Sequence, residues 1–468
     1  MPLSDHPRVY GTAALAVAFI AGVLVTLGFK DLYPELEARY QRRKKSAHRH
    51  GSFFDLLGPV SLEDRETASS HGELSALDRG HGIVDGIEGT IGNTPLVRIR
   101  SLSEATGCTI LAKAEFLNGA GGSPKDRVAL SMIQAAEEEG LLVPNRGDVI
   151  YEGTVGSTGI SLATLARARG YRAHICMPDD VAVEKSELLR HLGAEVERVP
   201  VAPITDPGHY VNLARARARA HSASPDTPSR GVFCDQFESL ANYTAHMRTT
   251  GPEIWAQTGG GRLDAFVAGA GTGGTLSGVA KYLKEERGLG SALRVVLADP
   301  QGSGLYHKVR HGVMWSPTER EGTRRRTQVD SLVEGIGVNR VTGNFEVGRP
   351  LVDDAVRVTD EQALRMARWL VEHDGIFIGS SSAVNCVAAV VTALGLPPGS
   401  RVVTILCDTG ARHLSKFWKH AGALELEDDG AGKKEEKDGQ RQAGQGLRGK
   451  DLLDVLGIAH LRRKQEQA

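Results

Sequence analysis

A lysine set in a run of small residues is the first feature of the chain with chemical potential. Residues Asn118 to Arg127 read Asn-Gly-Ala-Gly-Gly-Ser-Pro-Lys-Asp-Arg. Glycines permit positive φ and let a ligand come close to the backbone. Ser123 suits an N-cap and Pro124 the first turn of a helix whose pattern runs from about Pro124 to Glu139. Lys125 therefore opens a helix, where the local dipole disfavours its positive charge. A lysine with a lowered pKa is a nucleophilic amine of the kind that forms Schiff bases. Lys113 is a rival amine on the strand-like run Thr109 to Phe116, but no glycine loop or cap surrounds it and it reads as structural.

Two further stretches are suited to hold anions. The short β-type run Val149 to Tyr151 opens into Gly153-Thr154-Val155-Gly156-Ser157-Thr158-Gly159, followed by the helical pattern Ile160 to Arg169. A strand, a Gly/Ser/Thr loop and a helix N-terminus make a ready anion site, here fit for a carboxylate. The apolar strand Ala265 to Ala268 leads into Gly269-Ala270-Gly271-Thr272-Gly273-Gly274-Thr275 and the helical pattern Leu276 to Glu286. Backbone amides of such a loop cradle a phosphate dianion. The loop lacks the Lys-Ser/Thr ending of a nucleotide P-loop, and no acidic ribose partner is evident, so a cofactor phosphate is the better ligand.

Strand, helix and strand alternate over Tyr171 to Met177, Glu184 to Leu192 and Glu195 to Val199. That order builds a parallel sheet covered by helices. Gly379-Ser380-Ser381-Ser382 precedes a helix from near Ala383, and Val402 to Cys407 reads as a final strand. His307 and His311 fall on one helical face, but without a cysteine or an obvious third ligand they imply no metal site. The triplet Arg324-Arg325-Arg326 reads as a solvated loop.

Taken with Gly92-Asn93-Thr94-Pro95-Leu96-Val97-Arg98, Gly335-Ile336-Gly337 and Cys234-Asp235-Gln236-Phe237, this ordered set resembles the cysteine synthase and cystathionine β-synthase family of pyridoxal-phosphate enzymes. The match runs from about Val84 to His420, and among the family's members the chain is most similar to a membrane-anchored fungal group. The resemblance implies an α/β, two-lobed tryptophan-synthase-β-like fold (fold type II), with a smaller mobile lobe at roughly 130–245. It implies that Lys125 carries pyridoxal 5'-phosphate, that Gly271, Thr272, Gly273, Gly274 and Thr275 hold its phosphate, and that Ser381 faces the ring nitrogen. Gly335 matches a position beside the ring, and Ser157 one that contacts both cofactor and substrate. Thr154, Gly156, Ser157, Thr158 and Gln236 match positions that hold the amino-acid carboxylate. The family's loop reads Thr-Ser-Gly-Asn-Thr-Gly; here Val155 replaces its serine and Ser157 its asparagine, so one side-chain donor is lost and another is changed.

The implied activity is formation of L-cysteine from O-acetyl-L-serine and sulfide. Three alternatives stay open: condensation of serine with homocysteine, deamination of serine or threonine, and a weakly active anchored protein that binds the cofactor. By the same resemblance the chain is expected to form a homodimer.

The chain has 468 residues, with 56 lysines and arginines against 57 aspartates and glutamates. A net charge of −1 gives no overall electrostatic reason to expect nucleic acid binding. Cys108, Cys176, Cys234, Cys386 and Cys407 are scattered and odd in number, which argues against a disulfide framework and for a reducing compartment. Val9 to Phe29 is uncharged and largely apolar, long enough to cross a bilayer as a helix. Arg8 is the only basic side chain before it, whereas Lys30, Arg39, Arg42, Arg43, Lys44, Lys45 and Arg49 follow. The positive-inside rule then puts the bulk of the chain in the cytosol. The expected plan is an N-terminal transmembrane helix with basic flank (1–45), a linker (46–82), a catalytic domain (83–421) and a charged, mostly disordered tail (422–468) that holds a short amphipathic helix at Leu452 to Leu461. Moderate hydrophobicity and a basic C-terminal flank favour the mitochondrial outer membrane over the endoplasmic reticulum. Deleting residues 1–30 is expected to release an active soluble protein, because no catalytic motif lies there. Protease added to intact mitochondria should digest the catalytic region; full protection until the outer membrane is ruptured contradicts this topology.

Overall fold

The computed structural model describes residues 83–465 apart from 182, 226–227, 317–318, 321–330, 425–446 and 448. The expected membrane segment at 9–29, the linker, the arginine triplet and the greater part of the tail lie outside the described residues. Among the described residues no helix is long and apolar enough to cross a membrane.

The strands are β1 Leu96–Arg98, β2 Thr109–Ala114, β3 Val149–Gly153, β4 Arg172–Pro178, β5 Glu195–Val199, β6 Gly231–Phe233, β7 Ala265–Gly269, β8 Arg294–Pro300, β9 Trp315–Ser316, β10 Glu319–Arg320, β11 Asp354–Val358 and β12 Arg401–Leu406. They form two main sheets. The larger has the order β1-β2-β12-β7-β8-β11, and the smaller β5-β4-β3-β6. Every pairing in these two sheets is parallel except that of the edge strand β1 with β2. β9 and β10 form a separate hairpin.

Parallel strands need helical crossovers, and those helices cover both faces of each sheet. Hence β3, β7, β8 and β12 are apolar almost throughout and buried. The helix Ser380–Ala393 is buried along nearly its whole length, so it carries Ala, Val and Cys on every side. Separate apolar clusters lie on either side of the larger sheet, and another supports the smaller one. This α/β two-sheet arrangement agrees with the two-lobed architecture expected from sequence.

The C-terminus departs from expectation. The helix anticipated at Leu452 to Leu461 is two short helices, Leu452–Val455 and His460–Gln465, with Gly457 between them at φ 68°. Leu447, Leu452, Leu453, Val455, Leu456 and Ile458 are buried in the core of the larger lobe. The composition placed the end of the domain at 421, yet residues beyond that point complete it. Their apolar stripe needs a partner surface, and the larger lobe supplies it.

Below the Lys125 loop lies a buried ionic cluster. The Arg127 guanidinium bonds Glu115 at 2.8 and 2.9 Å and Glu253 at 2.6 and 2.8 Å. Lys113 pairs with Glu253 at 2.6 Å and also donates to the carbonyl of Thr94, which makes it the structural lysine expected. Burial works against the charge of Glu115, but Arg127 outweighs this and holds its carboxyl well below the usual range. Arg127→Met strands the buried Glu115 carboxylate and leaves Glu253 with Lys113 alone, and should lower unfolding free energy by about 3–5 kcal/mol; a denaturant titration with a shift under about 1 kcal/mol would show that the cluster relaxes without cost.

Candidate active site

The carboxyl ends of the parallel strands point into the space between the two sheets, the usual ligand crevice of open α/β sheets. Here β3 runs into Thr154, β6 into Gln236, β7 into Gly271 and β12 into Cys407. Their loops enclose one cavity of about 140 Å³, on which Lys125, Thr154, Gly156, Ser157, Thr158, Gln236, Gly271, Thr272, Gly335 and Ser381 all border. Gly273, Gly274 and Thr275 lie behind this lining, and the Thr275 hydroxyl is engaged by His246 Nε2 at 3.1 Å.

Lys125 begins the helix Lys125–Glu138. Pro124, with helical dihedrals (φ −61°, ψ −13°), takes the N-cap position expected from sequence for Ser123, while Ser123 Oγ still accepts the Lys125 N–H at 3.2 Å. The neighbours of Lys125 hold it in place. Asp126 accepts the backbone N–H groups of Gly121 and Gly122 at 2.7 and 2.9 Å and the Ser161 hydroxyl at 2.6 Å, while Arg127 enters the ionic cluster. Burial lowers the Lys125 pKa, against the opposing pull of Cys407, Asp408 and Glu115. The helix start anticipated this direction, but removal from water is the larger cause.

The Thr154–Thr158 loop is held from behind by a side chain that sequence reasoning missed. Glu152 is fully buried at the end of β3, and burial, helped by Asp235, pushes its carboxyl up to about 8. It meets the Gln236 N–H at 3.2 Å and the Gly153 N–H at 3.1 Å. Gln236 in turn donates to the Gly153 carbonyl at 3.1 Å and accepts from Thr158 Oγ1 at 2.5 Å. Gln236 thus braces the loop while bordering the cavity. Val155 packs its side chain among the apolar residues of the smaller lobe, consistent with losing the family's hydroxyl there.

On the opposite wall, Gly271 passes so close to the Gly335 carbonyl that a Cβ would stand 2.3 Å from it. Gly273 has φ +87° and faces Phe345, where a Cβ would come within 2.5 Å. These two positions admit only glycine and leave backbone N–H groups at the start of the helix Gly274–Ala280. Asn242 donates to Thr272 Oγ1 at 2.9 Å and fixes the loop. Ser381, in the first turn of the buried helix, is hydrogen-bonded to Cys407. A desolvated lysine, a glycine loop at a helix start and a serine across the same space form a donor set that fits a phosphorylated pyridine aldehyde.

Residues 87–408 match the family described as pyridoxal-phosphate dependent enzymes. The chain belongs to that family. It is 69% identical over 478 residues to cysteine synthase 2 of Neurospora crassa, covering 99% of this chain and all of that one, which places it in the cysteine synthase 2 group. A Saccharomyces cerevisiae relative, 55% identical over 73% of this chain and 86% of its own, carries the name "Putative mitochondrial cysteine synthase". Among solved structures, O-ureido-L-serine synthase is similar with a TM-score of 0.62 and 34% identity over 75% of this chain and 98% of that one.

Candidate metal ligands gather elsewhere. Among the described residues His174, Cys176 and Glu197 lie within 4.8 Å of one another on the smaller sheet, away from the cavity lining. Arg217 already pairs with that Glu197 at 2.8 Å. His307 and His311 share the helix Leu305–His311 with ring centroids 5.4 Å apart and do not belong to this group.

Glu152 makes stability depend on pH in a definite direction. Its folded-state pKa lies above the ordinary 4.5, so the folded protein binds the extra proton and this contribution is lost as pH rises from about 4.5 through about 8. Glu152→Gln keeps the shape without the ionisation. Relative to the parent, the variant should gain stability between pH 5 and about 8.5 in denaturant titrations; parallel curves for the two proteins would show that Glu152 titrates normally.

Proposed function

We propose that the chain catalyses β-replacement, forming L-cysteine from O-acetyl-L-serine and sulfide. The observation that carries this reading is the convergence of the desolvated Lys125 amine with the Thr154–Thr158 loop and Ser381 on one cavity. The names of its relatives as cysteine synthases support it.

When bound, pyridoxal phosphate supplies the electron sink that lets a substituent leave Cβ. Lys125 would hold the cofactor, the Gly271–Thr275 loop its phosphate, and Ser381 and Gly335 would lie against its ring. A hydroxyl such as that of Ser381 leaves the pyridine nitrogen largely unprotonated, which favours loss at Cβ over transamination. Thr154, Gly156, Ser157 and Thr158 would take the substrate carboxylate with backbone N–H and hydroxyl donors, and Gln236 would keep that loop in shape. The burial that lowers the Lys125 pKa favours its neutral amine, which serves as base for the Cα proton. The Cβ–O bond breaks with loss of acetate, and sulfide forms the new Cβ–S bond. In cells, residues 9–29 would anchor the protein to the mitochondrial outer membrane with this site in the cytosol, and two chains would associate.

Side-by-side assays of the purified holoenzyme decide the substrate. O-acetyl-L-serine with sulfide should give the highest kcat/KM, ahead of serine with homocysteine and of serine or threonine alone, and Lys125→Ala should reduce turnover by at least about 10³-fold. A higher kcat/KM with homocysteine, or full activity in the Lys125 variant, would overturn the assignment.

A further inference from the structure

One buried ion pair joins the two walls of the cavity. Lys185 lies on the helix Val183–His191 of the smaller lobe, and Glu334 immediately precedes Gly335. Their side chains are only 8% and 7% exposed, and Lys185 Nζ bonds Glu334 Oε2 across 149 residues of sequence. The Lys185 stem lies along the carboxylate loop: a Cβ at Gly156 would stand 3.3 Å from its Cδ. Glu334 is tied at its backbone, where its N–H donates to Ser380 Oγ at 3.0 Å beside Ser381. Both Lys185 and Glu334 border the cavity.

The large-lobe side of the pair is a wider charged network. Glu334 Oε1 faces Lys416 Nζ at 3.5 Å, and His413 Nδ1 stands 3.8 Å from Glu334 Oε2. The other His413 nitrogen meets Asp408 at 3.1 Å. A second contact between the lobes lies nearby, where the Ser415 hydroxyl donates to Glu184. Withdrawing two charges from water is costly, and an apolar pair of similar volume is often as stable. What a charge pair adds is reversibility: if the lobes part, water stabilises both charges again, and if they meet, the pair re-forms in one register.

We propose that Lys185 and Glu334 are positioning residues, an ionic latch that holds the substrate-carboxylate loop against the cofactor-side loop and opens for ligand exchange. This rests on the assignment of Thr154 to Thr158 to the substrate carboxylate. Removing one partner strands the other's charge, so the test is the paired variant K185M/E334Q, with K185R as the charge-conserving control. Hydrogen–deuterium exchange of the holoenzyme should be about 10-fold faster at residues 154–160 and 334–337 of the paired variant, with residues 401–406 of β12 unchanged. Its kcat/KM for O-acetyl-L-serine should fall about 10–100-fold, mainly through KM, while K185R stays within about 3-fold of the parent. Parent-like exchange in both loops, or an equal rise in β12, would overturn the latch. The exchange rates do not depend on which second substrate is used. A parent enzyme inactive with sulfide would therefore sink the proposed function, while the exchange rates would still decide for or against the latch.

Discussion

Arg127 bonds two carboxylates along two edges of its guanidinium, Glu115 at the end of β2 through Nε and Nη2, and Glu253 on the helix Thr250–Gln257 through Nη1 and Nη2. Four hydrogen bonds of this buried guanidinium go to these two side chains, which leaves little of its donor capacity unmet. Asn118 and Thr94 close the cluster on Glu115 at 2.9 and 2.7 Å. The reactive lysine is two residues away, with Asp126 between them pinning the glycines of the loop. The position of Lys125 is therefore set by its two C-terminal neighbours and by charges on two distant elements. A buried planar fork accepts few alternative arrangements, so the loop is fixed before any ligand arrives.

The same economy of burial tunes Lys125 on the cavity and Glu152 behind the loop that borders it. Lys125 is pushed toward its neutral form and Glu152 toward its protonated form, both chiefly by loss of water. One is moved toward a free amine; the other is moved toward a neutral carboxyl that braces Gln236 with less negative charge behind a loop meant for a carboxylate. Cys407, bordering the same space, has its thiol raised to about 11 by burial and Asp408, so it stays protonated and quiet beside Ser381. The cavity thus sets groups moved toward their neutral forms, Lys125 and Cys407, beside the charged pair Lys185–Glu334.

Much of this was legible in the sequence because it is local. Strand, glycine or hydroxyl loop and helix follow one another within about a dozen residues at Val149–Thr158 and Ala265–Thr275, and both loops lie where that order places them. The hydrogen bond from the Lys125 N–H to Ser123 is equally local. What escaped notice is made by distance. Arg127 and Glu253 are 126 residues apart, and Lys185 and Glu334 are 149 apart. Nothing in the sequence sets Glu152 apart from other acidic residues; only the packed lobe, by burying it, moves it toward a neutral brace. The apolar residues Leu452, Leu453, Val455 and Leu456 were visible as a stripe, but the surface they cover is formed by segments far upstream.

All of these relations meet at one atom, the Lys125 Nζ. Borohydride reduction of the holoenzyme, followed by peptide mass spectrometry, identifies the lysine that carries the cofactor. The pyridoxyl mass should appear on the peptide containing Lys125 and on no other. Its presence on Lys113 or Lys185, with Lys125 unmodified, would contradict the account.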